Sequence, residues 1–198
     1  MTSNALRDKD IRSALTDNLL SSYKHDNNTL ILQEFGLCEH LVRVDMAVVN
    51  GIMMGFEIKS DADTLERLPV QSEIYSKIFD KVIIVIGEIH ITKISDKIPQ
   101  WWGIWVAHKT SGNVELSVYR EPQKNCHIDI NYLVKCLWKQ EALDIIKEKG
   151  FYKKSLEKYK RADLWNLLSE SLNIQELQYL IRKQLKQRRD WRIVVTQV

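Results

Sequence analysis

Asp45, Glu57 and Lys59 are the residues whose types and spacing point most directly to chemistry. They lie in two apolar segments, Leu41 to Val49 and Ile52 to Ser60, joined at Asn50-Gly51. Strand side chains alternate between faces. In the second segment Met54, Phe56 and Ile58 therefore point one way, and Met53, Gly55, Glu57 and Lys59 point the other. In the first, Arg43 and Asp45 stand among Val42, Val44, Met46, Ala47, Val48 and Val49. Unpaired buried charge costs several kcal/mol, so such residues need either an ion pair or a site. A pair of carboxylates suits Mg²⁺, or Mn²⁺ in its place, which takes hard oxygen donors and keeps waters and substrate phosphate as further ligands. Asp45, Glu57 and the Ile58 carbonyl would supply such a half-shell. The metal would polarise a phosphate and activate a water, with Lys59 orienting that water or stabilising developing charge.

Register decides whether the two carboxylates meet. A two-residue Asn50-Gly51 turn would put Asp45 and Glu57 on opposite faces. A three-residue loop, Val49-Asn50-Gly51, with Gly51 left-handed in a G1 bulge, pairs Asp45 with Gly55. Asp45 is then diagonal to Glu57, about 7–8 Å away. The sequence reading favours this bulged loop.

These strands need a frame. Residues 8–24 carry Ile11, Leu15, Leu19 and Leu20 at helical spacing. Leu30 to Phe35 reads as a strand. Residues 65–79 read as one helix with Asp63 and Glu66 at capping-box spacing, or as a turn at 64–68 with a helix starting at Pro69. Lys81 to Gly87 (KVIIVIG) reads as a fully buried strand. Trp101 to Ala107 and Val114 to Tyr119 form a further pair across Ser111-Gly112-Asn113. After Glu121-Pro122 the pattern is helical to about Arg189, with Leu164, Leu167, Leu168, Leu172, Leu177, Leu180, Ile181 and Leu185 as core. Trp101, Trp102 and Trp105 pack the sheet or stack on bases.

The composition is that of a packed chain, and no apolar run reaches the ~18 residues of a membrane span. The polar N-terminus lacks a secretory signal, and Cys38, Cys126 and Cys136 form no disulfide or zinc pattern. The expectation is a cytoplasmic protein with free thiols and no membrane contact. The net charge of +3 is uneven: residues 147–192 hold 13 basic and 6 acidic side chains, a surplus of +7, which leaves −4 on the rest. A basic tail on an acidic core fits a polyanion partner, or else it is a solvated helical surface.

Asp45 followed by Glu57-Ile58-Lys59 resembles the D…(D/E)xK signature of the PD-(D/E)XK nuclease superfamily. Gln71 and Tyr75 resemble the QxxxY motif of its RecB and lambda-exonuclease branch, and the string RVDMAVVNGIMMGFEIKSDADTLERLPVQSEIY looks like that of a bacterial family within it. Val44 stands where the motif's name places proline. The resemblance covers roughly residues 8–90. It implies an α/β fold with a restriction-endonuclease-like αβββαβ core and mixed central sheet in residues 1–125, followed by a basic helical extension over 126–198. It also implies Asp45 and Glu57 as metal ligands, Lys59 as catalytic lysine, Gln71 and Tyr75 bracing the site or touching substrate, and Glu34 as a further ligand. Asp61, Asp63 and Arg67 would contact the site or cap the helix. Arg43 would meet nucleic acid or neutralise an acidic neighbour. Lys183, Lys186, Arg188, Arg189 and Arg192 would form a basic face. The expected function is a Mg²⁺-dependent nuclease acting on DNA, with RNA as a second substrate class and a homodimer or partner protein as the assembly. The alternative is a non-catalytic nucleic-acid-binding or adaptor protein that retains the fold.

Overall fold

A computed structural model describes residues 5–188. In chain order the elements are α1 (Asp8–Ser22), β1 (Leu30–Leu37), β2 (Val42–Val49), β3 (Met53–Lys59), α2 (Leu68–Ser76), β4 (Lys81–Gly87), α3 (Ile91–Ile94), β5 (Gly103–Thr110), β6 (Asn113–Arg120), α4 (Ile130–Leu133), α5 (Lys139–Glu148), α6 (Arg161–Ser171) and α7 (Ile174–Gln187). The strands form one sheet in sequence order. Pairing is parallel at β3–β4 and β4–β5 and antiparallel elsewhere, so the fold is mixed α/β. Among the described residues, no helix is long and apolar enough to cross a membrane.

The sheet is covered on both faces, which explains why KVIIVIG is a continuous apolar run rather than an alternating one. On one face Ile11, Leu15 and Leu19 of α1 pack on Met46, Val48, Phe56, Ile58, Ile83 and Val85. On the other, α2 and α4–α7 cover Val44, Ala47, Val49, Met53, Val82, Ile84 and Ile86. The leucines and isoleucines of α6 and α7 share that second cluster with the sheet. Fully burying each such side chain is worth about 1.5–3 kcal/mol. Trp102 is buried and stacks on Tyr75 at 6.0 Å, and Trp105 packs edge-on to Phe56 at 5.8 Å, so both tryptophans serve the core.

Polar clamps fasten the helical half to the sheet. Asp80 accepts from the Met53 amide at 2.7 Å and from the Gln178 side chain of α7 at 3.0 Å. Asn125 donates to the Ser76 and Phe79 carbonyls at 2.6 and 2.8 Å. It lies in residues 121–129, where the sequence pattern suggested helix and the chain instead runs without one, held by these bonds.

Several boundaries differ from expectation for local reasons. Helix α2 starts at Leu68 with proline in its first turn, and its N-cap, Arg67, makes no side-chain cap bond. Asp63 instead closes the preceding turn, accepting from the Ser60 amide and hydroxyl at 2.8 and 2.6 Å. The β5–β6 turn has two residues: Ser111 and Gly112 have φ of 51° and 92°, the left-handed pair that a tight hairpin needs.

Strands β1 and β2 change faces at the same level. Ile31 packs with α1, whereas Phe35 and Leu37 pack with the helices opposite. Likewise Met46 and Val48 face α1, while Val42 and Val44 face the other layer. The residues at the crossing are Glu34 and Asp45. Glu34 has φ of 55°, and it is skipped in an otherwise regular ladder between Gln33↔Met46 and Phe35↔Val44. The β1–β2 turn is left-handed over three more residues, Cys38, Glu39 and His40, with φ of 49°, 60° and 68°.

Candidate functional site

The β2–β3 register is Val49↔Met53 through Met46↔Phe56. The loop is therefore Asn50-Gly51-Ile52 rather than Val49-Asn50-Gly51. The expected G1 bulge does not form, because Gly51 is not among the left-handed glycines, and the Asn50 side chain closes the loop by accepting from the Ile52 amide at 3.1 Å. The register differs from expectation by two residues, so face parity is kept. Extended by one step it sets Asp45 opposite Glu57 instead of diagonal to it. The ladder stops short of that step because the Asp45 carboxylate itself takes the Ile58 amide, at 2.8 Å. Ile58 thus meets Asp45 through its N–H; its carbonyl was the expected metal ligand.

Glu57 is the most enclosed charge, 2% exposed. Its Oε1 accepts from Lys59 Nζ and from Gln71 Nε2, both at 2.6 Å. Its Oε2 lies 2.8 Å from the Tyr75 hydroxyl, which is 2.9 Å from the Arg43 carbonyl. Gln71 also accepts from Lys59 at 3.2 Å. The sequence motif pairing Gln71 with Tyr75 on one helix face is thus realised as a brace for Glu57. Burial, followed by the charge of Asp45, pushes the Glu57 carboxyl up to about 7. The hydroxyl of Tyr75 has one proton for two acceptors, so a protonated Glu57 could donate to Tyr75 and free it to donate to Arg43. Burial and the charge of Glu57 raise Tyr75 as well, so it stays a neutral donor. Burial also raises Asp45, opposed by the Ile58 amide and by Arg12.

Arg12 is the residue the sequence reading missed. From α1 it reaches Asp45 Oδ1 at 2.7 Å, Glu34 Oε1 at 3.1 Å and Asp8 Oδ1 at 3.1 Å. Glu34 Oε2 is taken by Arg43 at 2.6 Å, so Arg43 neutralises an acidic neighbour. The cue in the sequence was an Asp8–Arg12 pair four apart, a common helix-surface pattern that says nothing about a distant strand. Burial works against the Arg12 charge, and the hydrogen bonds and charges of Asp8 and Asp45 outweigh it, holding its pKa above the usual guanidinium range.

A resident Mg²⁺ does not fit this arrangement. Each oxygen of Asp45, Glu57 and Glu34 already faces an N–H or O–H donor, and Arg12, Arg43 and Lys59 are themselves cations. Among the described residues no group of three or more acidic, histidine or cysteine side chains is arranged to hold a metal. The surrounding cleft, about 910 Å³, also takes in His40, Leu41, Asp63, Glu66, Arg67, Val70 and Gln71. It holds six carboxylates against four arginine and lysine side chains. Asp61 points elsewhere, accepting from the Leu6 amide at 2.8 Å.

The expected basic face is only partly present. Arg188 turns inward, pairing with Glu141 at 2.5 Å, donating to the Cys136 carbonyl and stacking over Trp138. It is a structural cation rather than part of an outer surface. Arg189 and Arg192 lie outside the described residues. Lys183 pairs with Glu148 at 2.9 Å. Lys186 bonds the Asn28 side chain and the Asn50 carbonyl at 2.9 and 3.1 Å. Lys183 and Lys186, with Tyr179, Arg182, Gln187, Asn28, Asn50 and Gly51, line a groove of about 400 Å³ between α7 and the β2–β3 loop. Burial, followed by the neighbouring Arg182, lowers the Lys186 pKa, and Asp26 opposes them.

A family model described as bacteriophage P4 protein cII matches residues 1–197. The chain belongs to this family. Protein cII of Enterobacteria phage P4 is 24% identical over 183 residues, 92% of this chain and 68% of the relative. Among solved structures, a protein of unknown function from Silicibacter pomeroyi, SPO1766, is similar with a TM-score of 0.42 and 13% identity, over 59% of this chain and 71% of that one. Membership corrects the expectation of a metal-dependent deoxyribonuclease: the family is that of phage P4 protein cII rather than one of nucleases.

Proposed function

We propose that this chain is a non-catalytic nucleic-acid-binding protein, built on a core of the PD-(D/E)XK type, and that DNA is its ligand. The observation that carries the reading is the α7 groove. Its charged lining consists of Arg182, Lys183 and Lys186, of which Lys183 is paired with Glu148, and Tyr179 stands 61% exposed beside them. Clustered cations beside an exposed aromatic ring suit a phosphate backbone and a stacked base. Support for the core comes from the order α1-β1-β2-β3-α2-β4, with β3 and β4 parallel, and from Asp45, Glu57, Lys59, Gln71 and Tyr75 meeting around one cleft. The cleft itself suits a polyanion poorly, since carboxylates outnumber its cations.

The test is fluorescence anisotropy with duplex DNA, single-stranded DNA and RNA over a range of salt. Arg182→Glu/Lys186→Glu is expected to weaken DNA binding at least tenfold and to lower the slope of log affinity against log salt by about 1–2. Unchanged affinity and slope would retire the groove. Incubation with Mg²⁺ tests the other half of the reading, since cleavage that disappears in Lys59→Ala would overturn a non-catalytic protein.

A further inference from the structure

We infer that Arg12 is a built-in counter-ion standing where a divalent metal would otherwise bridge the carboxylates, so that the cleft takes up a divalent cation only when Arg12 is removed. The residues present do not fit a resident metal, and Arg12 is the geometric reason. One guanidinium meets three carboxylates from three elements: Asp8 on α1, Glu34 on β1 and Asp45 on β2. It also donates to the Asp45 carbonyl at 3.3 Å. A planar fork of five donors suits this better than a lysine point charge would.

The fold holds Arg12 there from both sides. Ile11 and Leu15, its neighbours on α1, are fully buried against the sheet, which fixes the helix over the β1–β2 crossing. Glu34 reaches the same point through a left-handed backbone that a glutamate adopts only under strain. A bridging metal would need the lone pairs that Arg12 occupies on Asp45 and Glu34, and it would stand against a fixed positive charge. Lys59 opposes a second position in the same way on the Glu57 side. The inference is independent of the α7 groove, so DNA-binding results there neither support nor weaken it.

Thermal melting of the full chain in EDTA, Mg²⁺ and Mn²⁺ tests it. Wild type and Arg12→Lys are each expected to show no shift among the three conditions. Arg12→Ala is expected to melt lower and to regain about 2–8 °C in millimolar Mn²⁺, and Arg12→Ala/Asp45→Asn is expected to regain none. A gain for wild type that Asp45→Asn abolishes would overturn the inference. So would an Arg12→Ala protein that folds and does not respond. Should Arg12→Ala fail to fold, Mn²⁺ electron paramagnetic resonance on wild type and Asp45→Asn decides. One ion bound by wild type and lost in Asp45→Asn sinks the proposal, whereas an undiminished free-ion signal in both upholds it.

Discussion

Glu57 is a carboxyl group kept in the interior by Lys59, Gln71 and Tyr75, and its behaviour with pH follows from that position. Its folded pKa, about 7, lies above the ordinary glutamate value of 4.5. The folded state therefore binds the proton more tightly than the unfolded chain does. The stability this contributes is full below pH 4.5, falls as pH rises through 7 and is then exhausted. The loss is on the order of 3 kcal/mol. Urea midpoints of wild type are expected to fall between pH 5 and pH 8, with much of that slope missing in Glu57→Gln. A slope unchanged by the substitution would contradict this account. Tyr75→Phe removes the hydroxyl between Glu57 and the Arg43 carbonyl and is expected to cost about 1–3 kcal/mol in the same assay. Glu57 and Lys59 were legible because strand alternation put both on one face, and Gln71 and Tyr75 because they resemble the QxxxY motif. Arg12 was not legible, because its partners Glu34 and Asp45 lie on strands that only the tertiary fold brings to α1.

Among the elements, β3 depends on how closely α2 and the Phe79 region approach it. A Cβ at Gly55 would stand 2.9 Å from the Phe79 ring, which is itself fully buried. Gly55→Val is expected to destabilise by about 1–3 kcal/mol, read as a lower urea midpoint with the fold retained by circular dichroism. Gly87 sits more tightly still, against the Asp61 carboxylate. The space beside Gly55 is thus filled by a phenyl ring. Strand identity was readable from alternation and from Asn50-Gly51, but register was not. Loop length sets register, and the Asn50 side chain chose a loop that no composition rule distinguishes from the bulged one. The start of α2 followed the alternative that gave Pro69 its favoured place in the first turn.

For the whole molecule, the helical C-terminal half and the sheet behave as one body in the packing. The cluster that holds Trp102 also holds Trp165 of α6 and Leu177, Leu180 and Ile181 of α7. Denaturation followed by tryptophan fluorescence and by far-ultraviolet circular dichroism is therefore expected to give coincident transitions. A separate early transition would show the helices parting from the sheet. Asp80→Ala, which strips the Met53 amide and Gln178 of a shared acceptor, is expected to cost about 2–4 kcal/mol, lowering the single midpoint without splitting it. The amphipathic pattern of α7 announced its buried face. The inward turn of Arg188 was hidden, since its partner Glu141 lies 47 residues away and a run of basic residues reads as surface.

The crossing of faces at Glu34 and Asp45 also has a consequence in time. A ladder interrupted at one level divides the β1–β2 hairpin into a base and a tip, and the tip carries the left-handed turn. The base, Met46 to Val49, is tied to both β1 and β3, whereas the tip, Val42 to Val44, pairs with β1 alone. Local opening should then begin at the tip and halt at the break. In native-state hydrogen exchange, amides of the tip are expected to exchange well before those of the base. Uniform protection along the whole hairpin would show instead that it opens only when the entire sheet does.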